Sequence, residues 1–540
     1  MLRRIGLICA LAMGLYLIGN YRVPLWDRDE PRYAQTSRQM LHDHDWVLPR
    51  FLNTIRFNKP PLIYWCQATA MRWLGENSAA ARLPSAIAVA IGAFLLGAFL
   101  WRRTDGRRAA MATLVFCTCM ATIASAKMCL TDGVLLLWMV IGQGALYCLR
   151  YETPRRWIVP AIFWLSVGLA ALTKGYAPIM HLATMIVLAC FEVGRRWKSP
   201  AAWKEAIAWW RRLRFGLGLL IILIVVGPWM VLVFRQDPQF LTRLWDQAVR
   251  HTTSGTEGHG HPPGYYLLMI WATMFPWSLL LPTAIGIGLR HRDQPLSRFA
   301  LAAAIGPWLV MEFVTNKLPF YILPSFPALG FLVADAISRS TQALRGQRDD
   351  DLKRPVFLLG VAAWDIATLG LAAVPWIFLS RLGPVPRWQL ILLTLFSIAW
   401  AGAVTICFVY KKIPLAVGTM GYGMFAVSAL LFGVILPDLP VLNSARTLGY
   451  KLAALHAGDG PTPIHMLEYR EPSMAFYAGG HAVESPAPTA GWNVTTEEHW
   501  DEFPPPLKAK YKLVWELPDV LVYAGGGKTV NVVILRKIGS

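Results

Sequence analysis

Five charged residues, Asp27, Arg28, Asp29, Glu30 and Arg32, crowd into six positions of the stretch LWDRDEPRYAQTSRQM at residues 25–40. A membrane boundary accommodates one or two snorkelling bases. It has no structural need for three carboxylates interleaved with two arginines. A nearby guanidinium favours the ionised acid, and an ionised acid within reach of a hydroxyl can act as a general base. More such residues follow. Arg56 and Lys59 sit in IRFNKPPL, Arg82 in ARLPSA and Asp132 in MCLTDGVLLLW. Lys174 sits in LTKGYAP, and Lys317 and Tyr321 in TNKLPFYILP. Lysine and arginine bind phosphate. The chemistry suggested is anion handling plus proton abstraction, with a lipid phosphate as donor and an acceptor arriving from outside the bilayer.

The elements that must hold these residues are apolar. Of 540 residues, 55% are hydrophobic and 16% charged, with a mean hydropathy of +0.42. Soluble domains carry about 25% charged residues. A mainly α, polytopic membrane protein is expected. The net charge of +20 would suit nucleic acid, but many of the bases lie in short loops between apolar runs, as the positive-inside rule requires. No nucleic acid partner is expected.

Windows of about 20 apolar residues give roughly thirteen spans, the first near 4–20 and the last near 413–436. WRRTDGRR, RYETPRR, GRRWKSPAAWKEAIAWWRRLR, RHRD, RSTQALRGQRDDDLKRP and KK all fall on the side of the N-terminal RR. This predicts a cytoplasmic N-terminus on a retained first helix. Loops 21–82 and 235–263 then face the other side, as does everything after about 437. Asp29, Glu30, Lys59, Arg82, Asp132, Lys174, Lys317 and Tyr321 share that face by topology alone, and ionisable residues at membrane depth are functional candidates. The chain divides into a membrane domain, 1–437, and a small α/β domain, 438–540. PIHMLEY, YKLVWEL and TVNVVILR read as strands of the latter, and ARTLGYKLAALHA as a helix. Within 21–82, Tyr33, Thr36, Ser37, Met40 and Leu41 recur at helical spacing. They predict an amphipathic segment lying along the membrane surface. The eight cysteines form no paired framework, and no disulfide is expected.

DEPRYAQTSRQML, DWVLP and FNKPPLIYW resemble the start of bacterial aminoarabinose (lipid A) transferases and of the wider protein O-mannosyltransferase superfamily. TDG, LTKG, PPGYYLLMIWATMFPW and KLPFYILPSFPAL follow in the family's order, so the resemblance covers residues 20 to about 335. NSARTLGYKLAALHAG and REPSMAFYAGG look like its outer tail domain. The resemblance implies a C-type glycosyltransferase fold in a bacterial inner membrane, acting at the periplasmic face. The donor would be a polyprenyl-phosphate sugar and the reaction inverting. The acceptor would be lipid A or another cell-envelope lipid or glycan. Asp29 matches the catalytic carboxylate and would be the base. Asp132 matches a second acidic position that supports geometry or acceptor binding. Arg32, Lys59 and Arg250 match phosphate-contacting bases. Lys174, Lys317, Arg82 and Tyr33 join the substrate-binding set, with Tyr321 lining the donor pocket and Glu30 in support. A monomer surrounded by membrane lipids is expected.

Two positions depart from that pattern. The family's metal-binding glutamate before the loop-one lysine is Asn58 here, and Gln247 falls where its histidine would. Neither is a good zinc ligand, so no metal cofactor is expected there. A rival set is His251, Glu257, His259 and His261 in RHTTSGTEGHGH, where such a run is more often a solvated lid. The runner-up activity is protein O-mannosyl transfer. A lipid-linked-sugar transporter or flippase would need charge along the bundle between the two faces, and mid-span positions are nearly free of it apart from Asp365.

Overall fold

The computed structural model describes residues 2–538, except 57–58, 153–155, 254–259, 343–353, 378–384, 459–461 and 524–527. Helix α1 (Leu2–Leu17) enters the bundle, and the chain then builds a layer outside it: α2 (Asp29–His42), a two-stranded ribbon of β1 (Arg50–Phe51) and β2 (Thr54–Ile55), and α3 (Leu62–Leu74). Pro60 and Pro61 precede α3, and Gly75 at φ +84° ends it. These are common start and stop residues of helices. Asn77 caps α4 (Ser78–Trp101), accepting from Ala80 N at 3.0 Å. Asp105 does the same for α5 (Gly106–Thr118), whose path bends by 62° into α6 (Met120–Lys127). The bundle continues through α7 (Thr131–Tyr151), α8 (Ile158–Ala171) and α9 (Ala177–Val193). The short α10 (Pro200–Ile207) precedes α11 (Phe215–Val225) and α12 (Gly227–Gln236), which meet at a 43° bend beside Pro228.

Helix α13 (Phe240–Thr253) lies in the next long loop. It is followed by α14 (Tyr265–Thr273), α15 (Leu281–Arg290), α16 (Pro295–Glu312) and α17 (Phe326–Gln342), then α18 (Arg354–Ile377), α19 (Arg387–Val409) and α20 (Ile413–Leu430). Gly306 lets α16 press against α9: a Cβ there would stand 2.5 Å from Thr184 N, so only glycine permits the approach.

Thirteen apolar spans were expected. Among the described residues, six helices are long and apolar enough to cross a membrane, or eight if each bent pair is one span. The apolar windows are real but broken. The run at 264–285, for example, divides between α14 and α15. Hydropathy reports composition over a window and is blind to a turn inside it. The chain is a multi-pass membrane protein.

After the bundle, α21 (Pro440–His456) leads into a five-stranded mixed sheet. Its strands are β3 (Ile464–Met466), β4 (Ala482–Glu484), β5 (Trp492–Thr496), β6 (Tyr511–Val522) and β7 (Lys528–Lys537), in the order β4-β3-β5-β7-β6. β3 runs parallel to β4 and β5, while β7 is antiparallel to β5 and β6. Leu448, Leu452, Ile464, Trp492, Val532 and Ile534 form the core between α21 and the sheet. A short helix, α22 (Pro472–Tyr477), fills the connection between β3 and β4 and is fully buried.

α22 packs on α2, the expected amphipathic segment. Tyr33, Thr36, Ser37 and Met40 are buried, with α3 on one side of α2 and the tail sheet's helix on another. The segment is a helix, as its spacing predicted. Its apolar face is covered by protein, because the C-terminal domain folds back over it.

Candidate active site

α2 begins at Asp29 with two acids in its first turn, Asp29 and Glu30. A helix N-terminus carries partial positive charge and favours carboxylates there. The two acids diverge. Glu30 points inward and is 2% exposed. Arg82 Nη2 and Nε donate to it at 2.6 and 2.9 Å, and Trp26 N and Cys129 N each donate at 2.8 Å. The remaining Arg82 bonds go to Asn20, Val23 and Pro24 carbonyls. Arg82 was expected to bind substrate, and Glu30 to support the site. Their bonding is instead internal, and they form a buried strut tying α2, α4 and the turn before α7.

Asp29 is half-buried, and among the described residues it accepts no hydrogen bond. Its charge acts on Tyr33, Arg56, Lys59, Tyr64 and Tyr321. Those groups form the wall around it. Tyr33 stacks on Tyr64 with centroids 5.5 Å apart. The Arg56 guanidinium lies 5.3 Å from the Tyr33 ring centroid, and its Nε donates to Tyr64 Oη at 3.3 Å. Asp132, in the first turn of α7, meets Lys174 from the turn between α8 and α9 at 2.6 Å. Lys174 Nζ also sits 4.3 Å from the centre of the Tyr321 ring.

Lys59 lies among all these charges. Burial, then Lys174 and Arg56, push its ammonium down to about 8, while Asp132 and Asp29 pull the other way. Lys59 thus interacts with two cations and two carboxylates of the same site. Asp29, Lys59, Asp132, Lys174, Tyr33 and Tyr321 are therefore brought together, from five stretches of chain.

Other expected residues stand elsewhere. Arg32 is half-buried and its charge acts on Asp27. Arg250 is exposed on α13, where its Nε donates to Asp246 O. Lys317 is engaged by backbone carbonyls. Its Nζ donates to His261 O at 3.0 Å and Val314 O at 2.5 Å. It helps strap the segment 260–264 onto 312–317, with Gly260 bridged to Asn316 and Gly264 N donating to Glu312 Oε2. Asn58, Glu257 and His259 lie outside the described residues. So does the side chain of His251, while His261 stacks on Tyr265 at 4.3 Å. Gln247 is half-buried on α13. Among the described residues no three His, Cys, Asp or Glu side chains converge as metal ligands do. Arg56, named beside Lys59 from the sequence, joins the site, and Tyr64 and Tyr176, which were not singled out, complete it. For Arg56 and Tyr64 the signal was their spacing around Lys59, in the motif that resembles the family.

Residues 2–243 match the family model described as dolichyl-phosphate-mannose-protein mannosyltransferase. An undecaprenyl phosphate-alpha-4-amino-4-deoxy-L-arabinose arabinosyl transferase of Pseudomonas paraeruginosa is 30% identical over 403 residues, covering 73% of this chain and 69% of the relative. The chain belongs to the aminoarabinose-transferase-like branch of the protein O-mannosyltransferase superfamily. The transferases of the same name from Aeromonas salmonicida and Erwinia tasmaniensis are each 30% identical, over 59% and 60% of this chain. The chain spans 57% and 58% of the length of those two relatives.

This membership is matched by fold. The crystal structure of ArnT from Cupriavidus metallidurans bound to undecaprenyl phosphate aligns with a TM-score of 0.76 over 98% of this chain and 97% of that one, at 19% identity. The archaeal oligosaccharyltransferase AglB from Archaeoglobus fulgidus aligns at 0.53 over 90% of this chain and 64% of that one, at 12% identity. The C-type glycosyltransferase architecture expected of this family is the one observed.

Proposed function

We propose that the chain is an inverting glycosyltransferase that moves a sugar from a polyprenyl-phosphate donor to a cell-envelope acceptor such as lipid A. The observation that carries this reading is Asp29, which accepts no hydrogen bond among the described residues, beside a basic, tyrosine-lined site in which Arg56, Lys59 and Lys174 crowd together. The names of the relatives, and the undecaprenyl phosphate bound to the ArnT of similar fold, support a polyprenyl-phosphate donor. The chain would work in the bacterial inner membrane as a monomer, N-terminus cytoplasmic and residues 438–540 periplasmic.

In this reading Lys59 and Arg56 hold the donor phosphate, and Asp29 takes the proton from the acceptor oxygen. That oxygen attacks the anomeric carbon from the face opposite the phosphate. The anomeric C–O bond breaks, its electron pair stays on the phosphate, and the configuration inverts. Charge building on the leaving phosphate is stabilised by bases already in place, which costs no reorganisation. Asp132 holds Lys174, which lies over Tyr321 and borders the same pocket. Asn58 and Gln247 do not fit a metal, so no step runs through one. The match of residues 2–243 to the mannosyltransferase model favours protein O-mannosyl transfer as the second reading.

The test is transfer of radiolabelled sugar in membranes from a panel of undecaprenyl-phosphate sugars, comparing the native chain with Asp29→Asn, with and without a chelator. Turnover lost in the variant and untouched by the chelator is expected. An active Asp29→Asn chain removes the base assignment and turns attention to Asp132. Chelator sensitivity removes the metal-free reading. Label appearing on protein rather than lipid selects the second reading.

A further inference from the structure

The segment that carries Asp29 is gripped on both sides and left open between. Downstream, Glu30 is locked into the Arg82 strut. Upstream, Leu25 N donates to Tyr477 Oη at 2.8 Å. Asp27 accepts twice from one residue: Ser473 N donates to Oδ1 at 2.9 Å, and Ser473 Oγ donates to Oδ2. Ser473 is 446 residues away in the chain. It and Tyr477 both belong to α22 of the C-terminal domain. The same helix places Phe476 against the Arg38 guanidinium at 4.5 Å. Beyond it, Gly480 at φ +82° approaches so closely that a Cβ would stand 2.9 Å from Arg38 Nη2. Glu471 and Arg32 are the charged groups that act on Asp27 from the two sides of this contact.

We propose that the C-terminal domain is a positioning element of the transfer site: Ser473, by holding Asp27, sets the angle at which Asp29 meets the acceptor. This rests on the reading of Asp29 as the base. A carboxylate bound by a backbone N–H and the hydroxyl of the same residue has little rotational freedom. Asp29 starts the helix only two residues further on. A shift of about 1 Å in a reacting group costs on the order of 100-fold in rate, so a contact that touches no substrate still governs turnover. Asp27, which no expectation placed in the chemistry, gains a role as a positioning residue.

The experiment uses the full chain in lipid vesicles, with undecaprenyl phosphate-4-amino-4-deoxy-L-arabinose and undecaprenyl phosphate-mannose as donors. Ser473→Ala and Asp27→Ala are each expected to lower kcat by about 10- to 100-fold. The KM for donor and the binding of undecaprenyl phosphate should stay at native values, and the loss of kcat should persist in assays run well below each variant's unfolding midpoint. Ser473→Thr should restore kcat, and the double variant should be no slower than Asp27→Ala, because both act through one contact. Native kcat in both single variants, with Asp29→Asn inactive, overturns the positioning role and leaves the base intact. Loss of kcat that follows a lowered unfolding midpoint, and is not restored by threonine, also overturns it, since the contact is then only an anchor. Turnover by Asp29→Asn removes the base and this proposal together.

Discussion

Lys174 Nζ stands 2.6 Å from Asp132 Oδ1, with 2% and 6% of the two side chains exposed. The pair joins the first turn of α7 to the turn between α8 and α9 at the floor of the site. Each charge has been taken out of water, so each depends on the other. Asp132→Ala should therefore destabilise the chain by about 3–5 kcal/mol. Adding Lys174→Met should recover much of that loss. Thermal unfolding of the two single variants and the double variant in detergent measures the coupling. Additive losses would show that the pair is not the source.

Asp29→Asn keeps the size and polarity of the side chain but removes its basicity. Loss of a general base costs about 10²–10⁴-fold. Turnover should fall by that factor while undecaprenyl phosphate still binds, because Arg56 and Lys59 remain. Isothermal titration with undecaprenyl phosphate separates the two effects. A parallel loss of binding would make Asp29 a donor ligand instead.

Lys59 supplies a pH dependence. Its ammonium is pushed down to about 8 by burial and by Lys174 and Arg56. The charged form that attracts phosphate is present below that pH and lost above it. Affinity for undecaprenyl phosphate should hold in neutral buffer and fall as pH rises through about 8. Bound phosphate favours the charged form, so the inflection in the complex should lie higher. Lys59→Arg should bind evenly across the range, because a guanidinium does not titrate there. A native profile in Lys59→Arg would assign the transition to another group.

Asp27 behaves in the opposite sense. Burial first, then Glu471, push its carboxyl up to about 8, against the Ser473 bonds and Arg32. The folded chain thus holds a proton that an unfolded chain releases near its ordinary value of 3.8. Burying Asp27 therefore costs least in acid, where it is protonated in both states, and the cost grows as pH rises from about 3.8 to about 8. The unfolding midpoint should drop over that interval in the native chain and drop less in Asp27→Asn. Equal slopes would place the titrating group elsewhere.

Much of the architecture was legible because it is local. Apolar windows marked the bundle, and the alternation in YKLVWEL and TVNVVILR marked β6 and β7. PIHMLEY marked β3, and ARTLGYKLAALHA marked most of α21. β4 and β5 were not singled out. Some apolar windows, such as 264–285, divide between two helices, because a turn can break an apolar run without a change of composition.

Residue types and motif spacing, by themselves, determined that carboxylates and bases would meet at one end of a membrane bundle. Asp29, Lys59, Asp132, Lys174 and Tyr321 could be named from that alone. Which charges would pair with each other was decided only by packing. Glu30 and Arg82 are 52 residues apart, and Asp27 and Ser473 are 446 apart. Lys317 turned to backbone carbonyls. A buried charge must find a partner, and local sequence does not say which group will arrive beside it. For Asp27 that group is Ser473, brought beside it by the C-terminal domain folding back onto α2.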